Sequence, residues 1–274
     1  MGFTELNSVE HYIIHQMSGV NLNALPENNQ LNESLPQYAI DSEMQWKFQS
    51  PEQLGRGVNE VLVESELVKA LVRLNPEIEA NPNLADEVTH KLRDILISVN
   101  QVGLVKANEE FFLWLTGEKT MPFGDNNEHV SVRLIDFDNL TNNQYIITNQ
   151  YRIHHRETKI PDVVMMINGI PVVVGEAKTP IRPSVSWLDG ANEVHNIYEN
   201  AVPQLFVPNI LSFATEGKEL FYGSIRCPLE FWAPWRLEND DEQIAKSLGL
   251  GEVGKELIDL LSPARLLDIL RNFS

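Results

Sequence analysis

Three charged residues in one stretch of this chain have the types and spacing to do chemistry. They are Asp162, Glu176 and Lys178, within KIPDVVMMINGIPVVVGEAKTP at residues 159–180. Thirteen residues separate the aspartate from the Glu-Ala-Lys triplet. Two carboxylates on neighbouring strands can hold Mg2+, with water completing the octahedron. Such a cation stabilises charge developing on a phosphodiester and acidifies a bound water. A lysine beside it would orient or deprotonate the attacking water, the latter if burial lowers its pKa. The chemistry that results is phosphodiester hydrolysis. The plainer alternative is that the two acids are strand-end charges and Lys178 neutralises them.

The elements around these residues must satisfy a parity condition. Two β-branched runs flank Asn168-Gly169, which reads as a hairpin turn. Residues two apart in a strand share a face, so Glu176 and Lys178 point the same way as Val172 and Val174. A two-residue loop pairs position 162 with 175 and sends the two carboxylates to opposite faces. A three-residue loop with Gly169 left-handed, or a bulge near 167–170, returns them to one face. A working site therefore requires one of these.

Periodicity places the remaining elements. A first helix is expected over 4–17, with Val9, Ile13, Ile14 and Met17 as its apolar stripe, followed by a loop-rich excursion over 18–50. Helices are expected over 59–74, 84–99 and 108–117, and strands over 132–137, 144–155, 161–167 and 170–178. Trp187, Ala191, Val194, Tyr198, Ala201 and Leu205 lie on one face of a single following helix, capped by Ser186 and Asp189. Strands over 209–215 and 219–225 precede a charged helical end. The order fits an α/β/α core on a mixed central sheet, with an additional helical part at the N-terminus.

Composition constrains the partners. The 274 residues carry a net charge of −18, which repels phosphate. Contact with DNA would have to use a local basic patch, a divalent metal or a partner. Arg152, His154, His155, Arg156, Lys159 and Arg182 form such a patch around the hairpin, although basic residues also commonly protect a sheet edge. A single cysteine, Cys227, rules out a disulfide framework and points to a reducing cytoplasm. No apolar run approaches the roughly 20 residues of a membrane span, and no secretory signal is visible. GLGEVGKE at 249–256 resembles a phosphate loop, but Glu256 stands where Ser or Thr should hold Mg2+, so it reads as a helix stop. His11 and His15 are four apart on the first helix with no third ligand in view.

The residues from Asp136 to Pro180, DFDNLTNNQYIITNQYRIHHRETKIPDVVMMINGIPVVVGEAKTP, carry a family resemblance. Together with TELNSVEHYIIHQM, NEEFFLWLTG and ILSFATEGKELFYGSI in the same order, they resemble the N-terminal nuclease domain of type I restriction enzyme R subunits, of the PD-(D/E)xK superfamily. The resemblance covers residues 1–236 and implies the restriction-endonuclease-like fold. It implies Asp162 and Glu176 as Mg2+ ligands, with the Ala177 carbonyl facing the metal, and Lys178 as the catalytic lysine. Glu10, with Glu5 as the second candidate, would be the further acid on the first helix. Gln204 would be the glutamine of a Gln-x-x-x-Tyr motif, although Pro208 stands at its tyrosine position. Arg152, Arg156, Lys159 and Arg182 would contact DNA. The implied activity is cleavage of unmodified foreign DNA, in complex with methylation and specificity subunits. ATP would act only through a motor domain outside this chain, toward which 237–274 would lead as a helical linker. Two rivals are a nuclease of the same fold from another repair or defence system, and a docking module with a decayed site.

Overall fold

The structure is a computed structural model that describes residues 5–23, 44–178, 185–237 and 252–272, with the backbone alone for 5–8 and 252. Helix α1 (Glu5–Ser18) buries Val9, Ile13, Ile14 and Met17, the expected stripe. Strand β1 (Lys47–Phe48) leads to α2 (Glu64–Leu74), α3 (Pro76–Ala80), α4 (Leu84–Val102) and α5 (Leu104–Leu115). A small ribbon pairs β2 (Thr120–Met121) with β3 (Val130–Ser131). Then come β4 (Tyr145–Asn149), the short pair β5 (Ile153–His154) and β6 (Thr158–Lys159), β7 (Val163–Ile167) and β8 (Ile170–Ala177). Helix α6 (Trp187–Asn192) runs into a π turn (Glu193–Tyr198) and then α7 (Glu199–Ala201). Strands β9 (Leu211–Thr215), β10 (Leu220–Gly223) and β11 (Ala233–Pro234) follow, then α8 (Glu252–Leu260) and α9 (Pro263–Asn272).

The central sheet has seven strands in the order β1-β4-β7-β8-β9-β10-β11. β1 and β4 are parallel, as are β8 and β9, and the other neighbours are antiparallel. Every residue of β7 and β9 is buried. A strand buried on both faces needs cover on both sides, so the sheet is the middle layer of an α/β/α fold. The expected mixed sheet is present.

Three expectations are corrected. Residues 132–137 do not form a strand, because side chains take their amides: Asn75 Oδ1 accepts from Arg133 N at 2.7 Å and Asn143 Oδ1 from Asp136 N at 2.9 Å. Asp136 Oδ1 in turn accepts from the amides of Asp138 and Asn139, and such local bonds compete with a ladder. The run 144–155 breaks into β4 and β5 at Gln150, which has a left-handed φ of 47°. The regular helix over 187–205 contains the π turn, even though Ala191, Val194, Tyr198, Ala201 and Leu205 are buried as expected.

Residues 252–272, expected as part of a linker, join the same core. Leu257, Leu260, Leu266 and Leu270 are wholly buried, α8 packs on α1, and Trp46 Nε1 donates to Leu261 O at 2.8 Å.

Candidate active site

The site begins at the Asn168-Gly169 turn. Both residues are left-handed, with φ of 52° and 78°, as a two-residue type I′ turn requires. A Cβ on Gly169 would lie 2.4 Å from Val63 O, so the position also demands glycine for space. Asn168 is buried: its amide donates to Leu134 O and Asn143 Oδ1, and its oxygen accepts from Gln144 N. Alone, this turn would separate the two carboxylates. The register shifts once, however. Met166 pairs with Pro171 and Met165 with Val173, leaving Val172 as an extra residue in β8. Pro171 has no N–H to give to a ladder and sits beside that bulge, where prolines in sheets are found. Val163 then pairs with Gly175, and Asp162 comes opposite Glu176 on one face. The bulge that parity demanded is there.

Each charge has defined surroundings. Asp162 Oδ2 accepts from Ala177 N at 2.9 Å and Oδ1 from Gln150 Nε2 at 3.1 Å. The same Gln150 nitrogen donates to Glu10 Oε2 at 2.7 Å, and Asn149 Nδ2 to Glu10 Oε1 at 2.7 Å. Glu10, which is 2% exposed, is thus tied to Asp162 through one amide. Glu176 is 3% exposed; its Oε1 accepts from Lys178 Nζ at 2.8 Å, while its Oε2 is buried with no partner. Lys178 Nζ also reaches Glu193 Oε2 at 2.5 Å, and Glu193 Oε1 accepts from the Tyr198 hydroxyl at 3.0 Å. Gly190 lets α6 approach, since even an added Cβ there would touch Ala214 at 3.2 Å and Glu176 at 3.4 Å.

Burial and crowding shift the titrations. Burial, then the Asp162 charge, pushes Glu176 well above the usual carboxylate range. Burial also raises Asp162 and Glu10. It opposes the Lys178 ammonium too, but the Glu176 and Glu193 carboxylates outweigh it and hold Lys178 above the usual lysine range. The condition for deprotonating water, a pKa lowered by burial, is therefore not met, and orienting it is the role left open. Burial presses on Glu193 as well, yet the bonds from Lys178 and Tyr198 hold its carboxyl below the usual range.

Two acids, a third tied to them by an amide, and an orphaned buried oxygen suit a hard cation, because Mg2+ takes only one or two protein carboxylates and keeps several waters. Among the described residues, no group of three or more His, Cys, Asp or Glu side chains is placed to hold a metal ion, so the protein would offer the cation the Asp162 and Glu176 carboxylates and water would complete its shell.

Other expected residues lie elsewhere. Gln204 Nε2 meets His155 Nδ1 at 2.6 Å. Both line a cavity of about 540 Å3 with Leu62, Leu96 and Ile153. Arg152 and Arg156 are exposed; Arg156 packs on α7 through Asn200 O, and Lys159 pairs with Glu157 at 2.7 Å. His154 and His155 bond different partners, Thr158 and Asn100. Arg182 and the Glu5 side chain lie outside the described residues. Sequence reasoning missed Asn149, Gln150, Glu193 and Tyr198. The signal for the first pair was a polar Asn-Gln interrupting a β-branched run; the second pair needed knowledge of the π turn.

Over residues 29–230 the sequence matches the model of a family described as type I restriction enzyme R protein N terminus. The chain belongs to this family. It is 28% identical over 218 residues to the type I restriction enzyme HindI endonuclease subunit of Haemophilus influenzae, covering 78% of this chain and 20% of the relative. It is 25% identical over 190 residues to a Methanocaldococcus jannaschii protein named for the type I restriction enzyme MjaIXP endonuclease subunit, covering 67% and 18%. This R-protein N-terminus thus spans about a fifth of the length of the curated relatives it matches. Among its described residues, no helix is long and apolar enough to cross a membrane.

Proposed function

We propose that this chain is the Mg2+-dependent endonuclease domain of a type I restriction R subunit, hydrolysing phosphodiester bonds in DNA. The observation that carries the reading is the bulged hairpin, which puts Asp162 opposite Glu176 and leaves Glu176 Oε2 without a partner beside Lys178. Asp162 and Glu176 would hold the cation. When bound, Mg2+ supplies Lewis-acid stabilisation of the charge that develops on the phosphate. Gln150 and the Ala177 N–H fix the Asp162 carboxylate in place. Lys178, kept protonated by its two carboxylates, serves as a donor that orients water or phosphate oxygen, and in this state it is no general base. Glu10 adds negative charge to the same end of the sheet through Gln150.

With a chain charge of −18, DNA would be delivered by partners, the methylation and specificity subunits, and moved by an ATP-driven motor in the longer protein. Arg152, Arg156, Lys159 and Arg182 would provide auxiliary phosphate contacts, and the cytoplasm is the compartment this substrate requires. The test is Mg2+ calorimetry on the wild type and Asp162→Asn, with Lys178→Ala assayed for cleavage in the reconstituted complex. Lost Mg2+ heat in the first variant and lost cutting with intact translocation in the second support the reading. Unchanged binding and cutting would return the three charges to strand-end neutralisation.

A further inference from the structure

A catalytic lysine paired to a metal-binding carboxylate presents a conflict: the ammonium and the cation compete for the orientation of the same carboxylate. Here Lys178 Nζ bonds Glu176 and, at the same time, Glu193. Glu193 comes from the helical segment after the hairpin, and its second oxygen accepts from Tyr198. Residues five apart on an α-helix lie about 140° apart around its axis. The π turn over Glu193–Tyr198 brings them onto one face. Such turns cost helix regularity and recur at functional sites. Tyr198 is almost wholly buried, which fixes the direction from which its hydroxyl holds Glu193.

Resting on the nuclease reading above, we infer that Glu193 is a positioning residue that retains Lys178 when a cation draws Glu176 away. Glu193 is not a metal ligand in this scheme. It gives the ammonium a second anchor, so that Glu176 can turn to Mg2+ without leaving Lys178 either unpaired or free to drift from the hairpin. Without Glu193, Lys178 has Glu176 alone and competes fully with the cation. The π turn is the backbone device that makes the anchor rigid.

The experiment is a double-mutant cycle read by calorimetric titration of MgCl2 into the full 274-residue chain. The proteins are wild type, Asp162→Asn, Glu193→Gln, Lys178→Met and the Glu193→Gln/Lys178→Met double variant, each checked by thermal melt. Asp162→Asn should abolish binding. Glu193→Gln should weaken Mg2+ about 10- to 100-fold, the range for residues that support metal ligands. In the Lys178→Met background the same change should cost at least about tenfold less, because the competing ammonium is gone. Tyr198→Phe, a milder change, should weaken Mg2+ in the same direction and keeps the test open should Glu193→Gln not fold.

Equal costs of Glu193→Gln in both backgrounds would make Glu193 a ligand in its own right and overturn the inference. Wild-type affinity in Glu193→Gln or in Tyr198→Phe would also overturn it, leaving the metal site standing so long as Asp162→Asn still abolishes binding. Mg2+ heat that survives Asp162→Asn overturns the parent reading as well.

Discussion

Replacing Glu176 with glutamine puts a magnitude on the crowding at the hairpin. The carboxylate is 3% exposed, one of its oxygens has no partner, and Asp162 lies opposite. Lys178 offsets part of this through Oε1. Glutamine keeps that acceptor and removes the charge next to Asp162. A buried charge left uncompensated costs at least as much as an unpaired polar atom, about 1–3 kcal/mol, so removing the charge in Glu176→Gln should stabilise the cation-free protein by about 2 kcal/mol at pH 8. For a domain of this size that corresponds to about 4–8 °C in Tm. The sign follows from linkage: Glu176 titrates above its ordinary 4.5 in the folded state, so the native state binds the proton more tightly. Its contribution is full below pH 4.5 and is lost as pH rises toward the folded pKa. The two proteins should therefore melt alike near pH 4 and diverge toward pH 8. Calorimetry in EDTA at several pH values reads this, and added Mg2+ should raise the wild-type Tm by mass action while leaving Glu176→Gln unmoved. A wild type that melts above Glu176→Gln at pH 8 in EDTA would refute the reasoning.

Other outcomes follow from the same geometry. In Gly175→Ala the new methyl would lie 2.1 Å from the Phe213 ring, and overpacking should cost at least about 1–3 kcal/mol, read as a lower urea midpoint. Gln150→Ala strips a donor from both Glu10 and Asp162 at a left-handed position; the loss should be about 1–3 kcal/mol, with weakened Mg2+ binding in titration. Glu199 is 1% exposed and burial pushes it up to about 7 from an ordinary 4.5, so the stability it confers fades between pH 4.5 and 7. Glu199→Gln should remove about 3 kcal/mol of that slope in urea melts at pH 5 and pH 8; an unchanged slope would show that Arg226 already neutralises it.

The hairpin was legible because its signals are local. Asn-Gly fixes the turn, β-branched runs fix the strands, and parity required the bulge before its residue could be named. The helices α2, α4 and α5 were legible from apolar spacing; the end of α2 and the start of α4 fall where expected, while α2 starts later, α4 runs on to Val102 and both ends of α5 shift by a few residues. What failed depended on distant partners. Residues 132–137 have the composition of a strand, yet Asn75, far back in the chain, takes one of their amides. Gln150 breaks a strand because Glu10 and Asp162 compete for its side chain, a point where local propensity yields to the site. Glu193 and Tyr198 were hidden because a period of 3.6 places them on different faces, and only the π turn reunites them. Between the two roles open to Lys178 the sequence could not choose, because the second carboxylate that raises its pKa comes from the π turn.

The packing of α8 and α9 sets a timetable. Trp46 and Leu261 are 215 residues apart, and a Cβ on Gly254 would come within 2.3 Å of the Tyr12 hydroxyl. Contacts of such sequence separation carry a large loop-closure entropy, so they form late. During synthesis the N-terminal part leaves the ribosome first, and α1 must wait for α8 to cover its outer face. Glu10 rides on α1 and takes its bonds from Asn149 and Gln150 on the sheet side, so α8 closes the helix from the opposite face. The newborn chain thus completes its hairpin well before the helix that carries the third acid has its final support.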